Sequence, residues 1–222
     1  MYKRFIKRIL DIALSSVGII VLAIPMLIIA IAIKIDDPGP VLFKQKRVGQ
    51  KKNGQLTYFT MWKFRSMKMS TPHDTPTHLL ENPEQYITRV GRITRKYSLD
   101  ELPQVIQVFT SQLSTIGPRP CLPNQTDLIE EREKYGANDV KPGITGWAQI
   151  NGRDELEIPV KAKLDGEYAC ALNAGKLNGF AMDVRCFFGT ILSVLKHDGV
   201  VEGGTGELKK QEEQTEKELI MK

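Results

Sequence analysis

Two adjacent carboxylates, Asp100 and Glu101, lie directly behind a run of cations in the middle of the chain. These cations are Arg89, Arg92, Arg95 and Lys96. Ser98 and Glu101 have the spacing of a capping box, which predicts that a helix begins at Ser98 and holds both carboxylates in its first turn. The positive end of a helix favours an ionised carboxylate there. Such a group can be a structural ion pair, a metal ligand or a nucleophile, and these residues leave the three alternatives open.

The N-terminal segment is long and apolar enough to enter a membrane. Residues 12–33 contain no charged side chain, and 22 helical residues at about 1.5 Å each are long enough to cross a hydrocarbon core of about 30 Å. Pro25 lies near the middle, where it removes a backbone donor and bends a helix. Lysines and arginines flank both ends, which draws both ends to the cytoplasmic face. The sequence therefore predicts a re-entrant helix hairpin broken at Pro25, with a simple span as the alternative.

Short β-type runs follow the membrane segment. Residues 41–43 and 56–59 are separated by a basic stretch that contains turn residues, and they predict a β-hairpin. Residues 62–67 then alternate apolar or aromatic side chains with basic ones. Lys63 and Arg65 either belong to a solvated charged face or present their charges to a phosphate.

Two stiff, turn-rich stretches add further candidates. Residues 117–120 read Gly-Pro-Arg-Pro, so that two prolines hold Arg119 on a rigid turn that suits bidentate recognition of an oxyanion. Residues 141–153 are rich in glycine, and their backbone N–H groups could approach an anion. Trp147 within this stretch packs either on a base or lipid or in the core.

Helical patterns account for most of the remaining chain. Residues 155–172 and 180–197 are predicted helices, and residues 127–135 are predicted to form a charged helix with a solvated face. Asp183 is surrounded in sequence by apolar residues within the predicted helix 180–197. A single carboxylate in that position caps the helix or pairs with Arg185.

Composition narrows the class of partner. The net charge is +5, and the tail after residue 200 holds four lysines and six glutamates, so residues 1–200 carry +7. A basic body suggests a nucleic acid, an anionic membrane surface or a phosphorylated substrate as the partner. The three cysteines show no CxxC spacing, which argues against a disulfide framework or a zinc site.

Five features occur in one order along the chain. They are a basic-flanked hydrophobic hairpin with a central proline, Trp62-Lys63-Phe64-Arg65-Ser66-Met67, Ser98-Leu99-Asp100-Glu101-Leu102-Pro103-Gln104, Gly117-Pro118-Arg119-Pro120 and Pro142-Gly143-Ile144-Thr145-Gly146-Trp147. With these, the chain resembles the monotopic phosphoglycosyl transferases, bacterial sugar transferases that begin capsule, O-antigen and glycoprotein glycan assembly. The resemblance implies an α+β, mostly helical fold. Its parts would be a re-entrant membrane helix hairpin (1–36), a small cytoplasmic catalytic domain with a short β-hairpin (37–200) and a charged, disordered tail (201–222).

The resemblance also implies a reaction: transfer of a sugar-1-phosphate from a UDP-sugar to undecaprenyl phosphate, with release of UMP and with Mg²⁺ as cofactor. Asp100 would be the nucleophile that forms a phosphosugar–aspartyl intermediate, Glu101 would assist and hold Mg²⁺ with it, and Asp183 matches an essential downstream carboxylate. The residues implied to bind phosphate are Arg95, Arg119, Lys63 and Arg65, and those implied to contact substrate or lipid are Gly143, Thr145 and Trp147. The catalytic domain would lie on the cytoplasmic face of the inner membrane.

One position departs from the family pattern. The membrane break of the family is Ser-Pro, whereas Ile24 precedes Pro25 in this chain. An isoleucine cannot cap the carbonyl that the proline frees, and an open carbonyl in lipid is costly. The departure makes the re-entrant topology less secure than the chemistry.

Two other functions fit parts of the sequence. A membrane-anchored glycosyltransferase would release UDP, but the catalytic region contains no Asp-x-Asp motif for a metal. A membrane-tethered adaptor or nucleic-acid-binding protein would use the basic surface, yet no known nucleic-acid motif occurs and the Asp100-Glu101 stretch stays unexplained. The sequence indicates no particular UDP-sugar and leaves homo-oligomer formation open.

Overall fold

The computed structural model describes residues 2–71, 83–152 and 156–195. A short π-helical turn at Tyr2–Ile6 leads into a 30-residue helix, α1 (Lys7–Asp36). At about 1.5 Å per residue this helix is about 45 Å long. Within the described residues, α1 is the one helix whose length and composition are sufficient to cross a membrane. Its outer apolar side chains are exposed, including Ile20 and Ile24 at 76% and 70%.

Pro25 lies inside α1, and the helix continues through it from Lys7 to Asp36. The interruption that was predicted at Pro25 is therefore not seen in the backbone, although a proline can bend a helix without ending it. The apolar N-terminal helix is confirmed. The re-entrant hairpin stays a prediction.

The first half of α1 carries a polar stripe that packs on the rest of the molecule. Lys7, Asp11 and Ser15 are buried, and their spacing of four places them on one face of the helix. Asp11 accepts hydrogen bonds from Ser114 Oγ at 2.9 Å and from the Thr115 backbone N–H at 2.8 Å. This stripe joins the first half of α1 to residues 114 and 115.

The far end of α1 contacts the same part of the protein. Asp36 accepts a hydrogen bond at 2.8 Å from the Val90 backbone N–H, at the beginning of α2 (Arg89–Lys96). Asp37, one residue on, pairs with Arg65. Both ends of α1 are thus held by elements of one compact unit.

The predicted β-hairpin is confirmed, with longer strands than the sequence indicated. Strand β1 (Leu42–Val48) pairs antiparallel with β2 (Tyr58–Phe64) over seven residue pairs. Lys63 belongs to β2, and Arg65 follows directly after it. Both side chains are buried, so the alternative of a solvated charged face is wrong.

The helix predicted to begin at Ser98 has a different start. Ser98 adopts a left-handed conformation (φ 54°) and its side chain caps no backbone N–H, so the predicted capping box is wrong. Leu99–Glu101 form a single 3₁₀ turn, and α3 (Gln104–Phe109) follows it. The capping box fails because Glu101 is engaged by distant cations instead of by the backbone of Ser98.

Two short strands, one just before the first turn-rich stretch and one within the second, form a parallel pair. Strand β3 (Ser114–Ile116) pairs with β4 (Gly143–Thr145), and α4 (Thr126–Glu133) lies in the connection between them. The chain ends its described part with α5 (Trp147–Ile150), α6 (Ile158–Asn173) and α7 (Lys176–Leu195). The last two confirm the predicted C-terminal helices. The predicted tail, 201–222, lies outside the described residues.

The main core forms where α6 and α7 pack on β3. Its buried residues are Tyr2, Ile116, Val140, Tyr168, Ala169, Leu172 and Cys186. Helix α4 was predicted to be solvated, but it buries Leu128 and Arg132. That prediction is wrong for this face, which is turned toward α6.

Candidate active site

Four charged side chains meet between the β-hairpin and the Gly-Pro-Arg-Pro turn. Asp100 and Glu101 lie on the 3₁₀ turn, Lys63 on β2, and Arg119 between β3 and α4. Arg119 holds Glu101 with two nitrogens, at 2.6 Å from Nη2 to Oε1 and 3.2 Å from Nη1 to Oε2. Lys63 Nζ lies 3.0 Å from Glu101 Oε1 and 3.9 Å from Asp100 Oδ2. These four residues are called the Asp100–Glu101 site below.

The charge state of Glu101 follows from its neighbours. Burial favours the neutral form and by itself would raise the pKa of the Glu101 carboxyl. The charges of Arg119 and Lys63, together with the hydrogen bonds that both donate, outweigh burial and hold that pKa well below its usual value. Glu101 is therefore an anion at neutral pH whose two oxygens fix the positions of two cations.

Asp100 is held differently from Glu101. Its carboxylate is 5% exposed, and its contact with Lys63, at 3.9 Å, is longer than a hydrogen bond. Lys63 donates to Glu101 at 3.0 Å and so binds the second carboxylate more closely than the first. The pair is thereby divided: Glu101 organises the cations, and Asp100 lies beside a cation that is hydrogen-bonded elsewhere.

The backbone of the two turn-rich stretches positions Arg119. Gly143 N–H donates to the Pro118 carbonyl at 3.0 Å, and Gly117 N–H donates to the Thr145 carbonyl at 2.8 Å. A Cβ on Gly143 would lie 2.1 Å from the Gly117 nitrogen, so these backbones approach as closely as only glycine allows. The Gly143 N–H, one of the groups predicted to approach an anion, is thus used to join the two turns.

The other residues predicted around this second turn contact protein groups. The Thr145 hydroxyl shares a 2.7 Å hydrogen bond with the Thr190 hydroxyl of α7. The Trp147 indole N–H donates to Glu167 at 2.9 Å, and the ring packs against the main core. Their predicted contact with substrate or lipid stays a prediction.

The other two predicted phosphate-binding arginines, Arg95 and Arg65, contact further protein groups. Arg95 Nε donates to the Ser66 hydroxyl at 2.8 Å. Arg65 donates to the Asp37 carbonyl and lies 3.5 Å from the Asp37 carboxylate, at the exit of α1. In this arrangement Arg65 fixes the C-terminal end of α1.

Asp183 belongs to a second buried cluster. Its Oδ2 accepts from the Tyr2 hydroxyl at 2.5 Å and from Lys7 Nζ at 2.8 Å, and its Oδ1 accepts from the Tyr168 hydroxyl at 2.8 Å. These four residues are called the Asp183 cluster below. Asp183 thus pairs with Lys7, 176 residues away, and neither caps its helix nor uses Arg185.

Comparison with known proteins places the chain in a family. Residues 2–197 match the family model described as bacterial sugar transferase. The chain belongs to the bacterial sugar transferase family. It is 40% identical over 172 residues to a UDP-glucose:undecaprenyl-phosphate glucose-1-phosphate transferase of Escherichia coli, covering 74% of this chain and 36% of that protein.

Two other relatives of this sugar transferase differ in length and in the sugar that their names give. An exopolysaccharide production protein of Rhizobium leguminosarum is 36% identical over 196 residues, which are 86% of this chain and 95% of that protein. An undecaprenyl-phosphate galactose phosphotransferase of Salmonella typhimurium is 33% identical over 216 residues, 88% of this chain and 42% of that protein. The chain thus spans about a third of the length of the E. coli glucose-1-phosphate transferase and most of the length of the Rhizobium protein.

The donor set of this sugar transferase can be tested against Mg²⁺. Within the described residues, no three His, Cys, Asp or Glu side chains lie together as a metal site. Mg²⁺ is often bound by one or two carboxylates together with substrate phosphates and water, and Asp100 fits that pattern. Glu101 does not fit it in this arrangement, because Arg119 and Lys63 occupy its oxygens.

Sequence reasoning missed several residues that support the site. Tyr2, Lys7 and Tyr168 surround Asp183, and Arg132 lies behind Arg119. The spacing of four between Lys7, Asp11 and Ser15 in an otherwise apolar helix was a usable signal for a buried polar face. No comparable pattern marks Arg132, because it is one of several charged residues on α4.

Proposed function

We propose that this sugar transferase moves a sugar-1-phosphate from a UDP-sugar to undecaprenyl phosphate and releases UMP. The names of its relatives support the reaction class, since they describe transfer of glucose-1-phosphate, or of a galactose phosphate, to undecaprenyl phosphate. The observation that carries the proposal is Asp100, a buried carboxylate next to Lys63, which also pairs with the neighbouring Glu101. Phosphoryl transfer needs positioning and charge neutralisation more than acid–base chemistry, and this arrangement supplies both.

The reaction proceeds in two displacements at phosphorus. An Asp100 oxygen attacks the β-phosphorus of the UDP-sugar, and the bond from that phosphorus to the bridging oxygen breaks, so that UMP leaves with the electron pair. A phosphate oxygen of undecaprenyl phosphate then attacks the same phosphorus, and the Asp100 carboxylate leaves unchanged. Lys63 and Arg119 neutralise charge on the transferred phosphate while Glu101 keeps both cations in place.

Mg²⁺ would be held by Asp100 together with oxygens of the substrate diphosphate. When bound, the cation neutralises charge that develops on the phosphate oxygens. Arg95 lies in the last turn of α2, just before the Asp100–Glu101 site in sequence, and is proposed as a further phosphate ligand. Asp183 acts on the reaction by fixing the N-terminal turn and not by touching substrate.

We further propose that α1 enters and leaves the membrane on the cytoplasmic face. The contacts at its two ends support this topology: Asp11 binds β3 and Asp36 binds the start of α2, within one compact unit. A straight span would place these ends on opposite sides of a hydrocarbon core about 30 Å thick, and such a unit cannot lie on both sides. Single cysteines introduced at positions 3 and 44 should not react with an impermeant reagent in right-side-out vesicles, which expose the periplasmic face. Inverted vesicles, which expose the cytoplasmic face, are the control. Labelling of position 3 alone would establish a span.

The function is tested by product analysis. Full-length protein in nanodiscs, supplied with undecaprenyl phosphate, Mg²⁺ and a panel of UDP-sugars, should release UMP with at least one sugar, and intact mass should reveal a sugar-phosphate adduct when the lipid is omitted. Asp100→Asn should abolish both. Asp127→Asn, an exposed carboxylate-to-amide change on α4, is the matched control and should change neither. Release of UDP would instead establish the glycosyltransferase alternative.

A further inference from the structure

A buried ion pair lies behind the Asp100–Glu101 site. Asp165 on α6 is 1% exposed, and Arg132 on α4 is 4% exposed. Arg132 Nε and Nη2 donate to Asp165 Oδ2 at 2.8 Å and 2.5 Å. The two partners are 33 residues apart in sequence and join two helices in the interior.

A further contact of Arg132 leads to the site. Its Nη2 also donates to the Arg119 backbone carbonyl at 3.0 Å. Arg119 is therefore held at both ends: Arg132 binds its main chain and Glu101 binds its guanidinium. A continuous series of polar contacts runs from Asp165 through Arg132 and Arg119 to Glu101.

The turn around Arg119 needs such a contact. Pro118 and Pro120 fix their own φ angles, and Pro120 also favours an extended backbone at Arg119. Within that region the exact ψ of Arg119, and hence the direction of its carbonyl, depends on other interactions. Arg132 supplies a charged donor to that carbonyl. Asp165 in turn fixes the guanidinium of Arg132 with two hydrogen bonds to one oxygen.

Stability alone gives a weak reason for this pair. An ion pair buried to this degree loses much of its hydration, and replacement by apolar residues of similar volume is often neutral or stabilising. The contact with the Arg119 carbonyl is the property that such a replacement would remove. The pair is thus better explained by what it positions than by what it contributes to folding.

We infer that Arg132 and Asp165 are positioning residues for Arg119, and that they set the orientation in which Arg119 meets Glu101 and the donor phosphate. This role rests on the proposed function. Neither residue contacts the reacting atoms. Misplacement of a binding group by about 1 Å can lower a rate by about 100-fold, so loss of the pair should be visible in catalysis.

A double-mutant cycle on UMP release tests the inference. Arg132→Lys keeps the charge but cannot reproduce the forked contact with Asp165 and the Arg119 carbonyl. We expect it to lower kcat/KM for the UDP-sugar about 10- to 100-fold in the wild-type background. In an Arg119→Lys background the same change should have less than about a twofold effect, while the loss in Tm is equal in both. An equal fold-loss in both backgrounds would overturn the inference.

A second variant covers the outcome in which Arg132→Lys does not fold. The apolar pair Arg132→Met with Asp165→Leu should keep Tm and still lose UMP release to the same degree. The matched control is Lys134→Met with Glu131→Leu, an ion pair on the same helix α4 that does not touch Arg119. This control should keep wild-type rates.

Hydrogen exchange separates the inference from the proposed function. In the apolar double variant, the amides of Gly117, Arg119 and Cys121 should exchange faster than in the wild type, whether or not UMP is released. Unchanged exchange in that segment would overturn the positioning role. Absence of UMP from the wild type with faster exchange in the variant would instead reject the reaction and keep the structural link.

Discussion

The Asp100–Glu101 site and the Asp183 cluster are both buried, and both join carboxylates to a lysine, but their partners differ. Asp183 receives two hydroxyl groups and one ammonium group from three separate elements, so both of its oxygens are hydrogen-bonded to the fold. Glu101 receives cations alone, and Asp100 lies 3.9 Å from a lysine that is closer to Glu101. In the Asp183 cluster, the fold itself satisfies both carboxylate oxygens. In the Asp100–Glu101 site, Arg119 and Lys63 instead concentrate positive charge around Glu101.

This difference separates structure from chemistry. Hydrogen bonds from Tyr2 and Tyr168 satisfy Asp183 without excess charge, which is what a buried structural carboxylate requires. The Asp100–Glu101 site is held from outside, through the paired glycine turns and through Arg132, and its charges face one another.

The largest effect is expected for the proposed nucleophile. Asp100→Asn should lower UMP release by about a thousandfold or more, because loss of a nucleophile removes the covalent path. Because asparagine keeps the size and shape of the aspartate side chain, the variant should still fold, and its Tm should show this. Rates and Tm measured on the same nanodisc preparation check both parts. Wild-type rates in this variant would contradict the assignment.

The opposite pattern is expected for Asp183→Asn. Removing the charge leaves Lys7 buried without its ion pair, which should lower the free energy of unfolding by about 3–5 kcal/mol. Activity per folded molecule should remain within a few-fold of wild type. Lys3→Met, which breaks an exposed contact of the same N-terminal segment with Asn173, is the control and should have a small effect. A stable but inactive Asp183→Asn protein would restore the catalytic role that the family resemblance implied.

The sequence was informative where a motif is local. Lys63, the Asp100-Glu101 pair and Arg119 each lie in a short distinctive stretch, and the structure brings all four together. The hairpin and the two C-terminal helices were also predictable, because hydrophobic periodicity is a local property.

The sequence failed where a partner lies far along the chain. The capping box at Ser98 is overridden by Arg119, which is 18 residues beyond Glu101 and takes its carboxylate. Arg132 was one charge among many on α4 until the packing of α6 defined which face is buried. The partner of Asp183 is 176 residues away, at the start of the membrane helix, and no pattern near Asp183 points there.

A smaller effect is expected from acid. The pKa of Glu101 is lowered in the folded protein, so between that pKa and the ordinary value near 4.3 the unfolded chain binds more protons, and stability falls as pH falls. Glu101→Gln should therefore lose less Tm than wild type between pH 6 and pH 4. Arg119→Met removes one of the cations that lower this pKa, so the difference between the folded and unfolded pKa, and with it the total loss of Tm on acidification, should be smaller than in the wild type. An unchanged pH slope in Glu101→Gln would show that Glu101 does not carry this stability.

The smallest effect concerns a thiol beside Asp183 and leaves activity untouched. Burial, followed by the negative charge of Asp183, raises the pKa of Cys186 to about 12, and the side chain is fully buried. At pH 8 only about one molecule in ten thousand would carry the reactive thiolate. A maleimide should therefore label the exposed Cys170 and spare Cys186, and Cys170→Ser should give native protein that is nearly unlabelled. In Asp183→Asn with Cys170→Ser, labelling of Cys186 should become measurable because the cluster opens. Equal protection with and without Asp183 would mean that apolar packing of α7, and not the hydrogen-bonded carboxylate, keeps this region closed.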